Sequence, residues 1–355
     1  MMNIRLFLPA LLISAASFAQ VKNNDARIRY TGRVLVTDSA TLLSWSATSA
    51  KVNFKGTGIK VMLKDEKGVS TYNVIVDGKV TAKLQPDTTK KLYTLAAGLR
   101  PGKHTVELFK RTEYEHGKTW LYEFRPAKKT VLLEAPAAAQ RKIEFFGNSI
   151  TCAYGVEDSS GKDRGTAPYE NAYLSYATIA ARHFNADVHL TAKSGIGIMI
   201  SWAPVIMPEI YDRTVATDPN SKWDFSTYTP DVVVINLFQN DSWLVNNPTH
   251  AQFEARFHGK KPEEPQIIAA YAGFVKTIRS KYPDATIICA LGNMDITRKG
   301  SPWPGYVEKV VASLNDAHIY THFFPYKNTP GHPQVSEQQA MAKSLIAFIE
   351  EKVKW

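Results

Sequence analysis

Four short stretches of this chain carry residue types that acyl-transfer chemistry uses. The first is Gly147-Asn148-Ser149-Ile150-Thr151, directly after the apolar run Ile143–Phe146. It places a serine at the first strand-to-helix corner of an α/β pattern. The carboxyl ends of strands in such sheets are where reactive groups and ligands collect, and helix N-termini supply N–H donors suited to a developing oxyanion. Further along, Ser194-Gly195-Ile196-Gly197 follows the next apolar segment, Asn240-Asp241 follows the Val232–Ile235 run, and Gly331-His332-Pro333 precedes the last helical stretch. A serine is a poor nucleophile at neutral pH unless a base removes its proton during attack. Histidine suits that task, because its ordinary pKa of about 6.5 lies near working pH. A glycine lets a ligand oxygen approach the main chain closely, and an asparagine offers an uncharged side-chain N–H. Each residue also has a plain structural reading. Ser149 could be an N-cap, Gly195 and Gly197 turn glycines, Asn240-Asp241 an N-cap pair, and His332 a helix-entry residue. Their joint occurrence in one order is what those readings leave unexplained.

These residues need elements to hold them. From Ile28 to Leu133 the sequence runs in short β-type segments separated by turn chemistry such as Asp77-Gly78 and Pro101-Gly102. The clearest strands are 34–36, 42–45, 52–54, 59–63, 72–76, 92–95 and 104–109. Many short strands without a helical period predict an all-β sandwich or jelly roll. Ala135-Pro136-Ala137-Ala138-Ala139 then reads as a connection. Beyond it the rhythm becomes strand, helix, strand, helix, which predicts a parallel sheet covered on both faces. Its five strands are expected at 143–146, 188–192, 232–237, 286–291 and 318–323, with helices near 171–184, 267–281, 305–315 and 335–352. The expected organisation is a signal peptide over 1–19, a β-sandwich over 20–135, a linker over 136–140 and a three-layer α/β domain over 141–355.

With those elements in place, the four stretches together resemble the SGNH (GDSL-type) hydrolase superfamily. The resemblance implies a nucleophile at Ser149, a base at His332, and an oxyanion hole built from the N–H groups of Ser149 and Gly195 and the side chain of Asn240. Residues 27–135 are similar to the sandwich that precedes the hydrolase domain in carbohydrate esterase family 2. The phrases that carry this are Tyr30-Thr31-Gly32-Arg33, Leu43-Ser44-Trp45-Ser46, Val76-Asp77-Gly78, His104-Thr105-Val106 and Lys110-Arg111-Thr112-Glu113, joined later by Glu170-Asn171-Ala172-Tyr173. The family removes acetyl groups from plant cell-wall polysaccharides such as xylan and glucomannan. A secreted carbohydrate O-acetyl esterase working through an acyl-enzyme is the function this implies. The alternatives are a non-catalytic carbohydrate-binding relative and an SGNH esterase for acetylated pectin, sialate or peptidoglycan.

Three of the blocks depart from the superfamily pattern. Asn148 stands where Asp is usual, and Phe238-Gln239 where Gly-Thr is usual. Thr329 stands three residues before His332, where the triad acid normally lies. A Ser–His dyad is therefore expected, with a main-chain carbonyl from the 326–331 loop orienting the imidazole, as the resemblance implies. Asp241 reads as a brace for its loop. Sugar faces stack on flat rings, so Trp243, and after it Trp202 and Trp303, are the candidate substrate contacts, with core packing as the alternative for each.

Composition narrows the rest. Met1–Ala19 pairs Arg5 with the apolar core Leu6–Ile13 and small residues before Gln20, the layout of a secretory signal peptide. That core is shorter than the ~20 residues a membrane span needs, so a secreted or periplasmic protein is expected. The formal charge of +10 is spread without a long basic run, which argues against a nucleic-acid partner and fits a solvated basic surface. The partner expected is an acetylated polysaccharide or oligosaccharide. Cys152 and Cys289 could pair in an oxidising compartment or sit as small buried thiols. No ligand pattern for zinc or another metal is present, and no cofactor is expected. The Gly-x-Ser-x-Gly elbow of α/β-hydrolases is also missing.

Overall fold

The computed structural model describes residues 20–355; the expected signal peptide, 1–19, lies outside the described residues. Residues 21–132 form two antiparallel sheets. One runs in the order 34–36, 41–43, 119–126, 59–65, 91–96, and the other 131–132, 49–56, 102–110, 72–76, 79–84. Strands here alternate inward and outward residues, so one face of each sheet is apolar. Val52, Phe54, Val61, Leu63, Val106 and Leu121 are fully buried between them. Besides the short strands 21–22, 29–31 and 131–132, two longer strands escape a reading by alternation. Lys79–Leu84 is an exposed edge strand carried by its hairpin turn at Asp77-Gly78, where both residues have positive φ. Thr119–Pro126 holds Glu123 and Arg125 and contains a bulge between Leu121 and Glu123, which breaks the period of two.

The second half is a five-stranded parallel sheet in the order Ala186–Ala192, Arg141–Gly147, Val232–Asn236, Thr286–Leu291, Ile319–Phe323. Helices cover both faces. Phe146, Val233, Ile235 and Ile287 turn to one side, under Glu264–Lys281 and Trp303–Leu314. Phe145, Val232, Val234 and Ile288 turn to the other, under Tyr176–His183 and Val335–Lys352. This three-layer arrangement is the expected one. The helix anticipated over 171–184 is split, because Ser175 caps a new helix by accepting the Ala177 N–H. Cys152 and Cys289 are both free and buried.

Because the first strand lies between the second and third, the chain leaves its carboxyl end in opposite directions. A crevice opens there, outside the strand ends. Gly147 is in register with Ala192 on one side and with Asn236 on the other. Ser149, Ser194-Gly195 and Asn240 therefore emerge side by side.

The two halves are joined by buried polar contacts. Arg33 of the sandwich, 1% exposed, pairs with Glu144 of the first parallel strand at 2.7 Å. It also donates to the carbonyls of Tyr211 at 2.5 Å and Arg213 at 3.2 Å. Its guanidinium lies over the rings of Phe146, Trp223 and Phe225. Removing one member of such a pair leaves the other charged and unpaired in the interior. Arg33→Ala is therefore expected to lower unfolding stability in urea by about 3–5 kcal/mol. A loss under about 1 kcal/mol would mean that water reaches Glu144 and that the pair does not hold the halves together.

Candidate active site

The corner after the first parallel strand is shaped by Asn148. Its side chain accepts the Ile150 N–H at 3.0 Å and caps the short helix Ser149–Cys152. The first N–H groups of a helix have no intrahelical acceptor, and the Ser149 N–H has no partner among the described residues. The Ser149 hydroxyl lies 2.8 Å from Nε2 of His332. The serine and histidine singled out by the sequence are thus in hydrogen-bond contact.

The group orienting the imidazole differs from the expectation. Instead of a main-chain carbonyl from 326–331, the carboxylate of Asp163 lies at Nδ1 of His332, at 2.9 and 3.0 Å, and also accepts the His332 N–H at 2.9 Å. The acid comes from a loop that precedes the histidine by 169 residues. That loop is folded by its own contacts. Asp158 accepts the Arg164 N–H at 2.8 Å and pairs with the Arg164 guanidinium, which carries Asp163 back toward the strand ends. Gly331 has φ +69°, and a Cβ there would lie 3.0 Å from the Asp163 carboxyl carbon, so the close approach needs a glycine. The Tyr154 ring covers the imidazole with centroids 4.5 Å apart. Burial raises the Asp163 carboxyl, but the hydrogen bonds from His332 and its charge outweigh this and hold it below its ordinary 3.8.

The Ser194–Gly197 loop leaves the neighbouring strand beside the serine corner, where the Lys193 N–H donates to the Gly147 carbonyl at 3.2 Å. Gly195 has φ +75°, and its N–H has no partner among the described residues. The loop is held from beneath by Asp241, whose buried carboxylate accepts the N–H groups of Ile198 at 3.0 Å, Met199 at 2.7 Å and Ile200 at 3.2 Å. Burial pushes Asp241 up to about 6, and the backbone donors pull against it. The Asn240 amide is fixed at both ends: Nδ2 donates to the Ile196 carbonyl at 2.8 Å, and Oδ1 accepts Nε1–H of Trp202 at 3.1 Å. An amide nitrogen carries two hydrogens, so one remains for a ligand.

The three tryptophans part company. Trp202 is 51% exposed, with its Nε1–H anchored on Asn240. Trp243 is half-buried and donates to Asp295 at 2.8 Å. Trp303 is corrected by the structure: it is 6% exposed and packs edge-on against Phe238 at 4.9 Å, so it is a core side chain. The reason lies in the Phe238-Gln239 departure. Phe238 holds φ +76° at a corner where a glycine would be at ease, and its ring is buried between Tyr271 and Trp303. Left-handed backbone costs a non-glycine residue roughly 1–2 kcal/mol, which burial of a phenylalanine of about 1.5–3 kcal/mol offsets. Asp163 is the functional candidate missed by sequence reading, since no motif surrounds it.

Among the described residues no group of three or more His, Cys, Asp or Glu is placed to hold a metal. The arrangement can pass a proton from a hydroxyl to an imidazole braced by a carboxylate, beside N–H donors with no other acceptor. A serine ester hydrolase is the class of protein that this fold and site define. The chain matches the carbohydrate esterase 2 N-terminal model over residues 30–136 and the GDSL-like lipase/acylhydrolase family over residues 145–322. It is 36% identical over 348 residues to the cellulase/esterase CelE of Acetivibrio thermocellus, covering 92% of this chain and 40% of that protein. The acetylxylan esterase/glucomannan deacetylase of Cellvibrio japonicus is 25% identical over 375 residues, covering 99% of this chain and all of that one. The structure of a family two carbohydrate esterase from Clostridium thermocellum in complex with cellohexaose superposes with a TM-score of 0.82 at 34% identity, covering 92% of this chain and 99% of that one. The chain belongs to carbohydrate esterase family 2 and is a carboxylic-ester hydrolase built on a GDSL-type domain.

Proposed function

We propose that this protein is a secreted carbohydrate O-acetyl esterase that deacetylates plant polysaccharides or oligosaccharides of the xylan and glucomannan type. The observation that carries the reading is the line Asp163–His332–Ser149, with contacts of 2.9 and 2.8 Å, beside the open Gly195 N–H. In the mechanism His332 Nε2 takes the Ser149 proton as Oγ attacks the acetyl carbonyl carbon. Oxyanion charge builds against the N–H groups of Ser149 and Gly195 and the free hydrogen of Asn240 Nδ2, each such donor contributing about 3 kcal/mol in the transition state. The C–O bond to the sugar then breaks, and the imidazolium returns its proton to the leaving sugar hydroxyl. Water, deprotonated by the same imidazole, attacks the acetyl-Ser149 carbonyl; the bond from that carbon to Oγ breaks, the imidazolium returns its proton to Oγ, and acetate leaves.

Asp163 keeps Nδ1–H bonded, so Nε2 presents its lone pair to the serine. The exposed face of Trp202, anchored to the oxyanion asparagine, offers a flat surface for a sugar ring, with Trp243 as the second. The cellohexaose bound by the relative from Clostridium thermocellum makes a β-linked glucan chain a reasonable backbone to try. Export rests on the pattern of residues 1–19; no helix among the described residues is long and apolar enough to cross a membrane.

Acetate release from acetylated xylan, glucomannan and pectin, measured beside 4-nitrophenyl acetate, tests the reading. Xylan or glucomannan is expected to be deacetylated at least tenfold faster than pectin (a tenfold preference is about 1.4 kcal/mol of transition-state binding). Hydrolysis of the nitrophenyl ester together with a preference for pectin would move the substrate to another acetylated polymer. No hydrolysis of any ester would leave a carbohydrate-binding protein.

A further inference from the structure

The oxyanion loop is gripped from the other domain. Glu113, which closes the phrase Lys110–Glu113 in the sandwich, is 2% exposed and reaches across the domain boundary to Ser194. One carboxylate oxygen accepts the Ser194 N–H at 2.7 Å, and the other accepts the Ser194 hydroxyl. The neighbouring Lys193 is held by a second sandwich carboxylate, Glu115, at 2.8 Å, and its Nζ donates to the Ser194 carbonyl at 2.9 Å. Ser194 is bonded through its N–H, hydroxyl and carbonyl, and the peptide that follows it carries the Gly195 N–H.

Glu113 is itself fixed. Its N–H donates to Glu170 at 3.0 Å, and the other Glu170 oxygen lies 3.0 Å from His116 Nε2. The fully buried Lys110 ammonium donates to the carbonyls of Thr112 at 2.9 Å and Glu113 at 3.3 Å. The Lys110–Glu113 and Glu170–Tyr173 phrases, distant in sequence, therefore meet under one loop. Burying two carboxylates together is costly unless each is well bonded. Burial and the charge of Glu170 push the Glu113 carboxyl up, against the pull of the Ser194 donors. Apolar packing would join the domains without that cost. What a bidentate acceptor adds is a fixed direction for one residue's backbone.

We propose that Glu113 is a positioning residue for the Gly195 oxyanion donor, so that the active site in the second domain is completed by a side chain of the sandwich. This rests on the reading of Gly195 as an oxyanion donor in ester hydrolysis. Acylation and deacylation both pass through an oxyanion, so misplacing the donor lowers kcat whichever step limits, while ground-state binding is untouched. Glu113→Gln keeps the size but loses the charge, so the Ser194 N–H keeps only a weaker neutral acceptor and the Ser194 hydroxyl must turn to accept from the amide N–H. In the full chain it is expected to lower kcat for 4-nitrophenyl acetate about tenfold to a hundredfold, with KM within about threefold of wild type. Ser194→Ala removes only the hydroxyl contact and is expected to lower kcat about threefold or more.

Wild-type kcat in folded Glu113→Gln, or a change confined to KM, overturns the proposal while leaving the esterase reading intact. A wild-type protein with no esterase activity overturns both. If near-UV circular dichroism shows Glu113→Gln to be unfolded, Ser194→Ala decides. A lowered kcat at an unchanged Tm supports the brace, and a wild-type kcat removes it.

Discussion

Ser149→Ala is expected to lower kcat for acetyl esters by a factor on the order of 10⁵–10⁶ and to leave folding and sugar binding unchanged. Removing a nucleophile that works with a base costs about as much as removing the whole group that acts with it. The side chain is 7% exposed, and its hydroxyl contact is to His332, so the loss of one oxygen leaves no large cavity. The alanine backbone keeps its N–H, and Gly195 and Asn240 are untouched, so a residual rate above water is expected from the oxyanion donors alone. Steady-state hydrolysis of 4-nitrophenyl acetate by the pure variant, with circular dichroism beside it, measures this. Activity within tenfold of wild type would transfer the nucleophile to another group and dismantle the proposed mechanism.

Asp163→Asn is expected to be the next largest loss, about 10²–10⁴ in kcat. The carboxylate holds Nδ1–H and so leaves Nε2 unprotonated toward the serine. An amide in its place can turn its own N–H toward Nδ1 and favour the tautomer that cannot accept the serine proton. The pH dependence follows from the direction of the shift. Asp163 is held below 3.8, so between about pH 5 and 8 it stays ionised. A carboxyl lowered in the folded state stabilises the fold above its unfolded value. That contribution is lost as pH falls through the lower, folded value. The kcat/KM profile of wild type beside Asp163→Asn tests the assignment. A variant within threefold of wild type would return the orienting role to the main chain.

The sequence was most legible where local pattern and local chemistry coincide. Mostly apolar runs of four to six residues marked the parallel strands, and Gly147, Ser194 and Asn236 marked the carboxyl ends of the first three, since a buried strand is largely apolar on both faces. Because each reactive residue follows its strand by only a few positions, placing the strands side by side also placed Ser149, Gly195 and Asn240. The edge strand Lys79–Leu84 and the bulged Thr119–Pro126 were invisible because neither carries a period of two.

By itself the sequence determined the two-part architecture, the serine and histidine that meet at 2.8 Å, and the order of the sites along the chain. Only the tertiary structure decided which acid completes the set. Asp163 sits in a polar loop with no motif around it, and its selection depends on where that loop folds and on the space that Gly331 leaves. Tertiary packing likewise sent Trp303 inward, because the Phe238 ring needed a buried partner. It also brought Glu113 across the domain boundary to Ser194. Contacts between residues far apart in the chain leave no local signature. They are set by how whole faces pack, and that information is spread over both domains.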